Sequence, residues 1–316
     1  MTTAELTDEF ERLRPHLLSV AYRLTGTFAD AEDAVQDAWL RWDALGTDRE
    51  AIVEPRAWLT TVVSRIGLDR LRSAAHRREA YFGEWLPEPV VTPLDRSDPL
   101  ASVVADEDAR FAAMVVLERL TPDQRVAFVL HDGFAVPFGE IADVLGINAP
   151  AARQLASRAR RMVADADAPA RDASHDEVVG KLMAAIATGD LTAVVAVLHP
   201  DITFTGDSNR KAPTAARVIH GADKVARFIL GLSARYGPKL LEVAQLALVN
   251  GELGLYNERV DTDGEWPEVQ PHIQALTVRD GKVAAIWDVA NPDKFTASPL
   301  AQSSGQPTES DTHLRN

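Results

Sequence analysis

Trp58, Thr61, Arg65, Asp69, Arg72 and His76 recur at steps of three or four within PRAWLTTVVSRIGLDRLRSAAHRR, residues 55 to 78, and Arg77 and Arg78 close the line. On a helix this spacing stacks side chains along one face, opposite a stripe of Leu59, Val62, Val63, Ile66 and Leu71. An indole and several guanidinium groups in a row suit unstacked bases and a phosphate backbone, the chemistry of holding a separated nucleic-acid strand. A solvated helix face with Trp58 turned inward has the same pattern, so this stretch needs support from the rest of the chain.

A second group lies in VPFGEIADVLGINAPAARQLASRARRMV. Ile141, Ala142 and Leu145 are spaced to pack inward, Gly146 supplies a sharp turn, and a following helix buries Ala152, Leu155, Ala159 and Met162. That helix exposes Arg153, Gln154, Ser157, Arg158 and Arg161, residue types suited to base edges and phosphates in a major groove.

A third group is scattered through the C-terminal half, where His199, Asp201, Asp207, His272 and Asp288 are titratable and Tyr236, Trp266 and Trp287 could wall a pocket. A two-residue turn at Asp280-Gly281 sets Ile273 opposite Asp288, which puts His272 on the face of Trp287 and away from Asp288 unless a bulge intervenes. An unpaired His272 is then a hydrogen-bonded wall residue, and Asp288 an edge or partner-facing carboxylate. A closed, polar cavity holding two such groups within hydrogen-bond reach would favour catalysis; an apolar or collapsed one would favour regulation. No HExxH, GxSxG, Walker-type loop or GxGxxG occurs, and no metal-ligand spacing, so neither a cofactor nor a metal is expected.

These groups need several domains to position them, and 316 residues with 46% hydrophobic content suffice for two or three. With no Cys there is neither a disulfide framework nor a thiolate site. No apolar run is long enough to span a bilayer and the N-terminus lacks a signal-peptide pattern, so a cytoplasmic protein without a membrane partner is expected. A net charge of -14 argues against non-specific coating of nucleic acid. The charge is uneven, however. Residues 5 to 48 carry ten acidic and four basic side chains, whereas residues 65 to 78 carry five Arg against one Asp, and 149 to 163 four Arg and no acid. Two basic islands in an acidic chain fit local DNA contact plus an acidic surface for a basic partner.

Periodicity predicts helices over residues 5 to 28 and over FADAEDAVQDAWLRWDAL, with Asp30 as N-cap and Asp33, Gln36, Asp37 and Arg41 exposed. GEWLPEPVVTPLDRSDPLA, residues 83 to 101, has the composition of an irregular linker anchored by Trp85 and Leu86. A helix is expected from Ala101 to Leu120, and another after Thr121 as N-cap and Pro122 at the first position. Beyond residue 175 helices come first and then a run of strands, which predicts an α+β domain with a curved sheet wrapped on helices.

DAEDAVQDAWLRW followed by PRAWLTTVVSRIGLDRLR resembles region 2 of bacterial extracytoplasmic-function sigma factors, and the helix-turn-helix resembles their region 4. The resemblance implies two all-α sigma domains, residues 5–82 and 102–168, joined by the 83–101 linker. It implies a SnoaL-like cone of the NTF2-like fold at 175–295, with a disordered tail at 296–316. Asp33, Gln36, Asp37 and Arg41 would then contact RNA polymerase core through its beta-prime and beta subunits. Trp58, Arg65, Asp69, Arg72, Arg77 and Arg78 would hold the -10 strand, while Arg153, Gln154, Ser157, Arg158 and Arg161 would read the -35 element. The implied activity is promoter-specific initiation rather than catalysis.

The subclass with this extra domain carries a WLPEP linker, a DGGGK loop and an NPDK motif. Trp85, Leu86 and Pro87 match the first, while Asp207 to Lys211, DSNRK, keeps the ends of the second without its glycines. Asn291, Pro292, Asp293 and Lys294 match the third. These are the expected regulatory residues. His199, Tyr236, His272, Trp287 and Asp288 are candidates for a pocket that would take a small ligand, or serve a cyclase- or isomerase-type enzyme fused to a DNA-binding regulator.

Overall fold

Phe10, Leu17, Leu18 and Tyr22 bury one face of helix α1 (Thr3–Thr25) against α2 (Phe28–Ala44) and α3 (Pro55–Arg78). The structure, a computed structural model, describes residues 3–78, 81–106, 109–166, 172–262 and 264–301. The Arg77 and Arg78 side chains, the expected domain limit at residue 168 and the tail from 302 onward lie outside the described residues. Helix α2 is capped by Thr27, not Asp30: the Thr27 hydroxyl accepts from the Asp30 amide at 3.4 Å and donates to its carboxylate at 2.7 Å. The hydroxyl one turn earlier satisfies the free amide, and Asp30 becomes an acidic residue inside the first turn.

The helix expected from Ala101 to Leu120 is shorter. A 3-10 turn at Pro99–Ser102 leads to Val103 and Val104, both buried in the core shared with α1, and the Val103 carbonyl accepts from Ser19 Oγ at 2.9 Å. Helix α4 (Phe111–Leu117) begins only after this detour. Helix α5 (Pro122–Phe128) opens on the expected Thr121 cap, completed by Gln124 as a capping box. Helices α6 (Phe138–Leu145) and α7 (Ala149–Asp165) flank Gly146, whose φ of 67° forms the left-handed turn of the helix-turn-helix. In α7, Ala152, Ala156 and Ala159 are buried and Leu155 is partly so. Met162, expected inside, is 39% exposed because the small-residue stripe faces the core. One continuous core joins α1–α3 with α5–α7.

Helices α8 (His175–Thr188) and α9 (Leu191–Val197) lead into a seven-stranded sheet. Its strands are β1 (Val91–Thr92), β2 (Leu198–Asp207), β3 (Ile219–His220), β4 (Gln245–Val249), β5 (Glu252–Asn257), β6 (His272–Arg279) and β7 (Lys282–Val289), in the order β1-β4-β5-β6-β7-β2-β3. Helix α10 (Ala222–Tyr236) packs with α8 and α9 on the inner face, and a short α11 (Lys239–Glu242) follows it. Strand β1 comes from the linker and pairs antiparallel with β4, so the linker is an edge of the C-terminal sheet and no free tether. The outer face packs on Leu86, Phe111, Phe295 and Leu300. The first residues of the expected disordered tail are therefore packed: Ala297 and Leu300 are buried and the Ala297 carbonyl accepts from the Val91 amide at 2.9 Å.

Candidate nucleic-acid interface and a C-terminal cavity

The exposed line of α3 is partly engaged. Trp58 is half-buried, its ring 5.5 Å from that of Trp42, while Arg65, Asp69 and Arg72 are exposed. Arg65 donates to the Asp143 carbonyl on α6 at 3.1 Å, and Arg72 pairs with Asp123 on α5 at 2.9 Å. The helix-turn-helix unit thus leans on the face that suits a separated strand. On α7, Arg153, Gln154, Ser157, Arg158 and Arg161 are all exposed, and the Asn148 side chain caps the helix by accepting from the Ala151 amide at 2.9 Å.

On α2, Asp33, Gln36 and Arg41 are exposed and Asp37 is half-buried. Arg70 of α3, which sequence reasoning passed over, donates to Asp33 and Asp37 at 3.1 Å each and to Asp30 at 3.4 Å. No local signal marks it, because its partners lie 33 to 40 positions away on another helix.

The linker motif meets both C-terminal motifs in a buried clasp. Asp207 Oδ2 accepts from the Leu86 amide at 2.7 Å and from Lys294 Nζ at 2.6 Å, while Tyr81 Oη donates to its other oxygen. Lys294 Nζ also donates to the Leu86 carbonyl at 2.5 Å and sits 3.3 Å from the Trp85 ring centre, a cation-π contact. Outside it, Lys211 pairs with Asp293 and Asn291 Nδ2 donates to Tyr81 Oη at 2.9 Å. Asn209 and Arg210, at φ of 47° and 61°, take the left-handed backbone that the subclass's glycines would adopt freely. Leu86 and Pro87 are buried, and the buried Glu88 accepts from the Phe28 amide at 2.7 Å and the Thr296 amide at 3.0 Å. Burial raises the Glu88 pKa, and the hydrogen bonds from Thr296, Phe28 and Ala297 oppose that rise.

The cone encloses a cavity of about 240 Å³, lined mainly by apolar side chains such as Leu182, Phe204, Phe228 and Leu255 and also by Tyr236, His272 and Asp288. The His272 and Asp288 expectation is corrected. The turn at Asp280-Gly281 forms as expected, but Ala284 is a bulge between Val278↔Val283 and Thr277↔Ala285. The slip sets Ile273 opposite Val289 and Gln274 opposite Asp288, bringing His272 and Asp288 onto one face. His272 Nδ1 lies 3.0 and 3.1 Å from the two Asp288 oxygens, which also accept from Gln274 at 3.1 Å and from Thr214. Burial disfavours charge on both groups, yet each stabilises the other, so His272 is raised and Asp288 lowered. The cavity thus combines apolar walls with one hydrogen-bonded pair, answering to neither simple alternative.

Trp287 and His199 are not in its wall. Trp287 is on the opposite face, donating to Thr277 Oγ1 at 3.1 Å, and His199 is 3.3 Å from Arg279. Among the described residues no group of three metal-ligating side chains occurs, and no helix is long and apolar enough to cross a membrane.

The Sigma-70 region 2 family model matches residues 10–77, the Sigma-70 region 4 model residues 110–163 and the SnoaL-like domain model residues 179–286. The chain is 67% identical over 311 residues to the ECF RNA polymerase sigma factor SigJ of Mycobacterium tuberculosis, covering 98% of this chain and 99% of that one. It is 32% identical over 303 residues to a probable ECF RNA polymerase sigma factor, SigI, of the same organism, covering 91% and 93%. A crystal structure of M. tuberculosis SigJ superposes with a TM-score of 0.83 at 66% identity, covering 93% of this chain and 99% of that one. With two helical sigma regions, a SnoaL-like cone and these relatives, the chain belongs to the extracytoplasmic-function family of RNA polymerase sigma factors.

Proposed function

We propose that this sigma factor binds RNA polymerase core through the α2 surface of Asp33, Gln36, Asp37 and Arg41, on the beta-prime and beta subunits. It reads the -35 element with Arg153, Gln154, Ser157, Arg158 and Arg161, and holds the opened -10 strand with Trp58, Arg65, Asp69, Arg72, Arg77 and Arg78. The observation that carries this reading is the exposed Arg and Gln row on α7 of a helix-turn-helix, in a chain whose net charge is otherwise -14. The test is run-off transcription with purified core. A promoter-dependent product is expected; no gain over core alone on any genomic fragment rejects the reading.

The C-terminal domain acts in cis on the sigma regions. Support comes from its grip on the linker through β1 and through the clasp of Asp207, Lys294 and Leu86. Support also comes from the closed packing in which Arg65 and Arg72 are occupied by the helix-turn-helix unit. Promoter binding by α3 requires exchange of these contacts, which gives the cone a lever on activity. Removing residues 291 to 316 therefore changes promoter-dependent output, and equal activity across a concentration series counts against the coupling.

Binding of a small ligand suits the cone better than turnover. Three side chains already donate to Asp288, which leaves it a poor general base.

A further inference from the structure

Asp288 belongs to two structures at once. Its carboxylate fixes His272 in the cavity wall, while its backbone continues through Val289 and Ala290 into Asn291–Lys294 of the clasp. Across the parallel ladder Asp288 is opposite Gly206 and Val289 opposite Asp207, and the Ala290 amide donates to the Asp207 carbonyl at 2.7 Å. Thr214 folds over the same point and donates to Asp288. It fits because residue 206 has no side chain: a Cβ there would meet Thr214 Oγ1 at 2.3 Å. The polar end of the cavity and the carboxylate that grips the linker are thus one residue apart on β2 and β7.

The wall also selects the occupant. The donors around Asp288 hold it as a carboxylate, so His272 turns Nδ1–H toward it. His272 Nε2 has no partner among the described residues, and the pairing with Asp288 favours the imidazolium, in which Nε2–H is a donor. Arg235, exposed and 5.6 Å from the Tyr236 ring centre, adds a cation at the lining. Most of the remaining wall is aliphatic and aromatic, with Ser233, Asn257 and Gln270 as neutral polar groups, and about 240 Å³ admits only a compact molecule.

We propose that the cone binds a compact apolar acid, a carboxylate or enolate with a cyclic or aromatic body, its oxygen on His272 Nε2. Occupancy stiffens the ends of β2 and β7 and thereby tightens the Asp207–Lys294 clasp on the linker. The regulatory half of this proposal rests on the cis-acting role given above to the C-terminal domain.

The probes are 2-naphthoate, with 2-naphthylamine and 2-methylnaphthalene as controls, titrated calorimetrically into the full chain. Saturable naphthoate binding is expected, at least tenfold tighter than either control, the size of one charge-assisted hydrogen bond. His272→Leu loses that margin, whereas His272→Gln, which keeps a donor, loses less; circular dichroism establishes that both variants fold. Hydrogen exchange of the Leu86 amide slows with naphthoate in the parent chain and does not in Lys294→Met. No binding, equal binding of the three probes, or binding with unchanged Leu86 exchange overturns the proposal. Binding with slowed exchange but unaltered run-off transcription upholds site and coupling and rejects instead the cis-regulatory role.

Discussion

Asn250 Nδ2 donates to Tyr22 Oη at 2.8 Å, joining a turn of the C-terminal sheet to the first helix across 228 positions of sequence. The same nitrogen donates to the Ala109 carbonyl at 2.7 Å, and Asn250 Oδ1 accepts from the Val90 amide at 3.0 Å. One fully buried side chain thereby connects α1, the linker and the approach to α4. Its φ of 50° is a left-handed conformation that Asn tolerates better than most residues. Tyr22 Oη in turn donates to the Glu88 carbonyl at 2.7 Å, extending the network into the linker motif.

Removing the Asn250 amide leaves several buried groups without partners, each costing about 1–3 kcal/mol. Asn250→Ala should lower stability by about 2–4 kcal/mol, read by urea denaturation. Asn250→Gly, free of backbone strain at this φ, should lose nearly as much. A glycine variant as stable as the parent would show that the network contributes nothing.

The clasp predicts a different pattern. Lys294 and Asp207 are almost fully buried, so deleting either charge strands the other, at a cost of about 3–5 kcal/mol. Lys294→Met and Asp207→Asn should each destabilise strongly, and the double variant should be less damaged than the sum. Simple additivity in the double-mutant cycle would mean that the two charges do not interact.

The helix-turn-helix was legible because its signals are local: Gly146 in the turn, Thr121-Pro122 at a helix start, Arg and Gln at helical spacing. Strands β2 and β4 to β7 were legible, but their register was not, and the two-residue strands β1, inside the linker, and β3 are too short to show a pattern. Ala284 and its neighbour Ala285 carry no mark telling which one bulges, and that single residue decides which face receives Asp288. Arg70, Glu88 and Asn250 escaped notice for another reason. Their partners are tens to hundreds of positions away, so a lone Arg, Glu or Asn in the sequence reads as an ordinary solvated residue. The NPDKF and DSNRK motifs were visible, but only the fold brings Lys211 to Asp293 and Lys294 to Asp207.

The closed packing of the two sigma regions should be shallow where it is ionic. Arg72 and Asp123 are 50% and 44% exposed, so their pair is worth about 1 kcal/mol or less and is screened by salt. Asp123→Arg opposes two cations there and should raise the affinity of α3 for single-stranded -10 DNA by about twofold to fivefold at low salt. The gain should fade as salt rises. No gain would mean that this contact does not restrain α3.

His16 provides a test in acid. Arg56 donates to its Nδ1 at 3.2 Å, so Nε2–H donates to Thr60 Oγ1 at 3.0 Å, and the ring packs edge-on against Phe134 of the other sigma region. Burial first, then the charges of Arg56 and Arg23, push its pKa down to about 4. Below an ordinary pKa of about 6.5 the unfolded chain takes a proton that the folded chain refuses, so stability falls from there down to pH about 4. The loss should be about 2 kcal/mol, measured by urea denaturation at several pH values, and His16→Gln should flatten that part of the slope. An unchanged slope in the variant would assign the acid sensitivity elsewhere.

The His272–Asp288 pair predicts a reversal of sign. In the parent chain burial opposes the imidazolium, but the Asp288 carboxylate outweighs it and raises the His272 pKa above its ordinary value. That contribution to stability is complete below the ordinary histidine range and is lost as pH rises through the raised value. Asp288 is lowered, so its share is present above the ordinary aspartate range and is lost as pH falls through the depressed value. The pair therefore stabilises most between the two ordinary values, and the protons belong to it jointly. Asp288→Asn removes the carboxylate and leaves burial in control, so the His272 midpoint, followed by NMR of the ring protons, should fall from above its ordinary value to below it. A midpoint that stays put would mean that the bulge at Ala284 does not hold the two side chains together in solution.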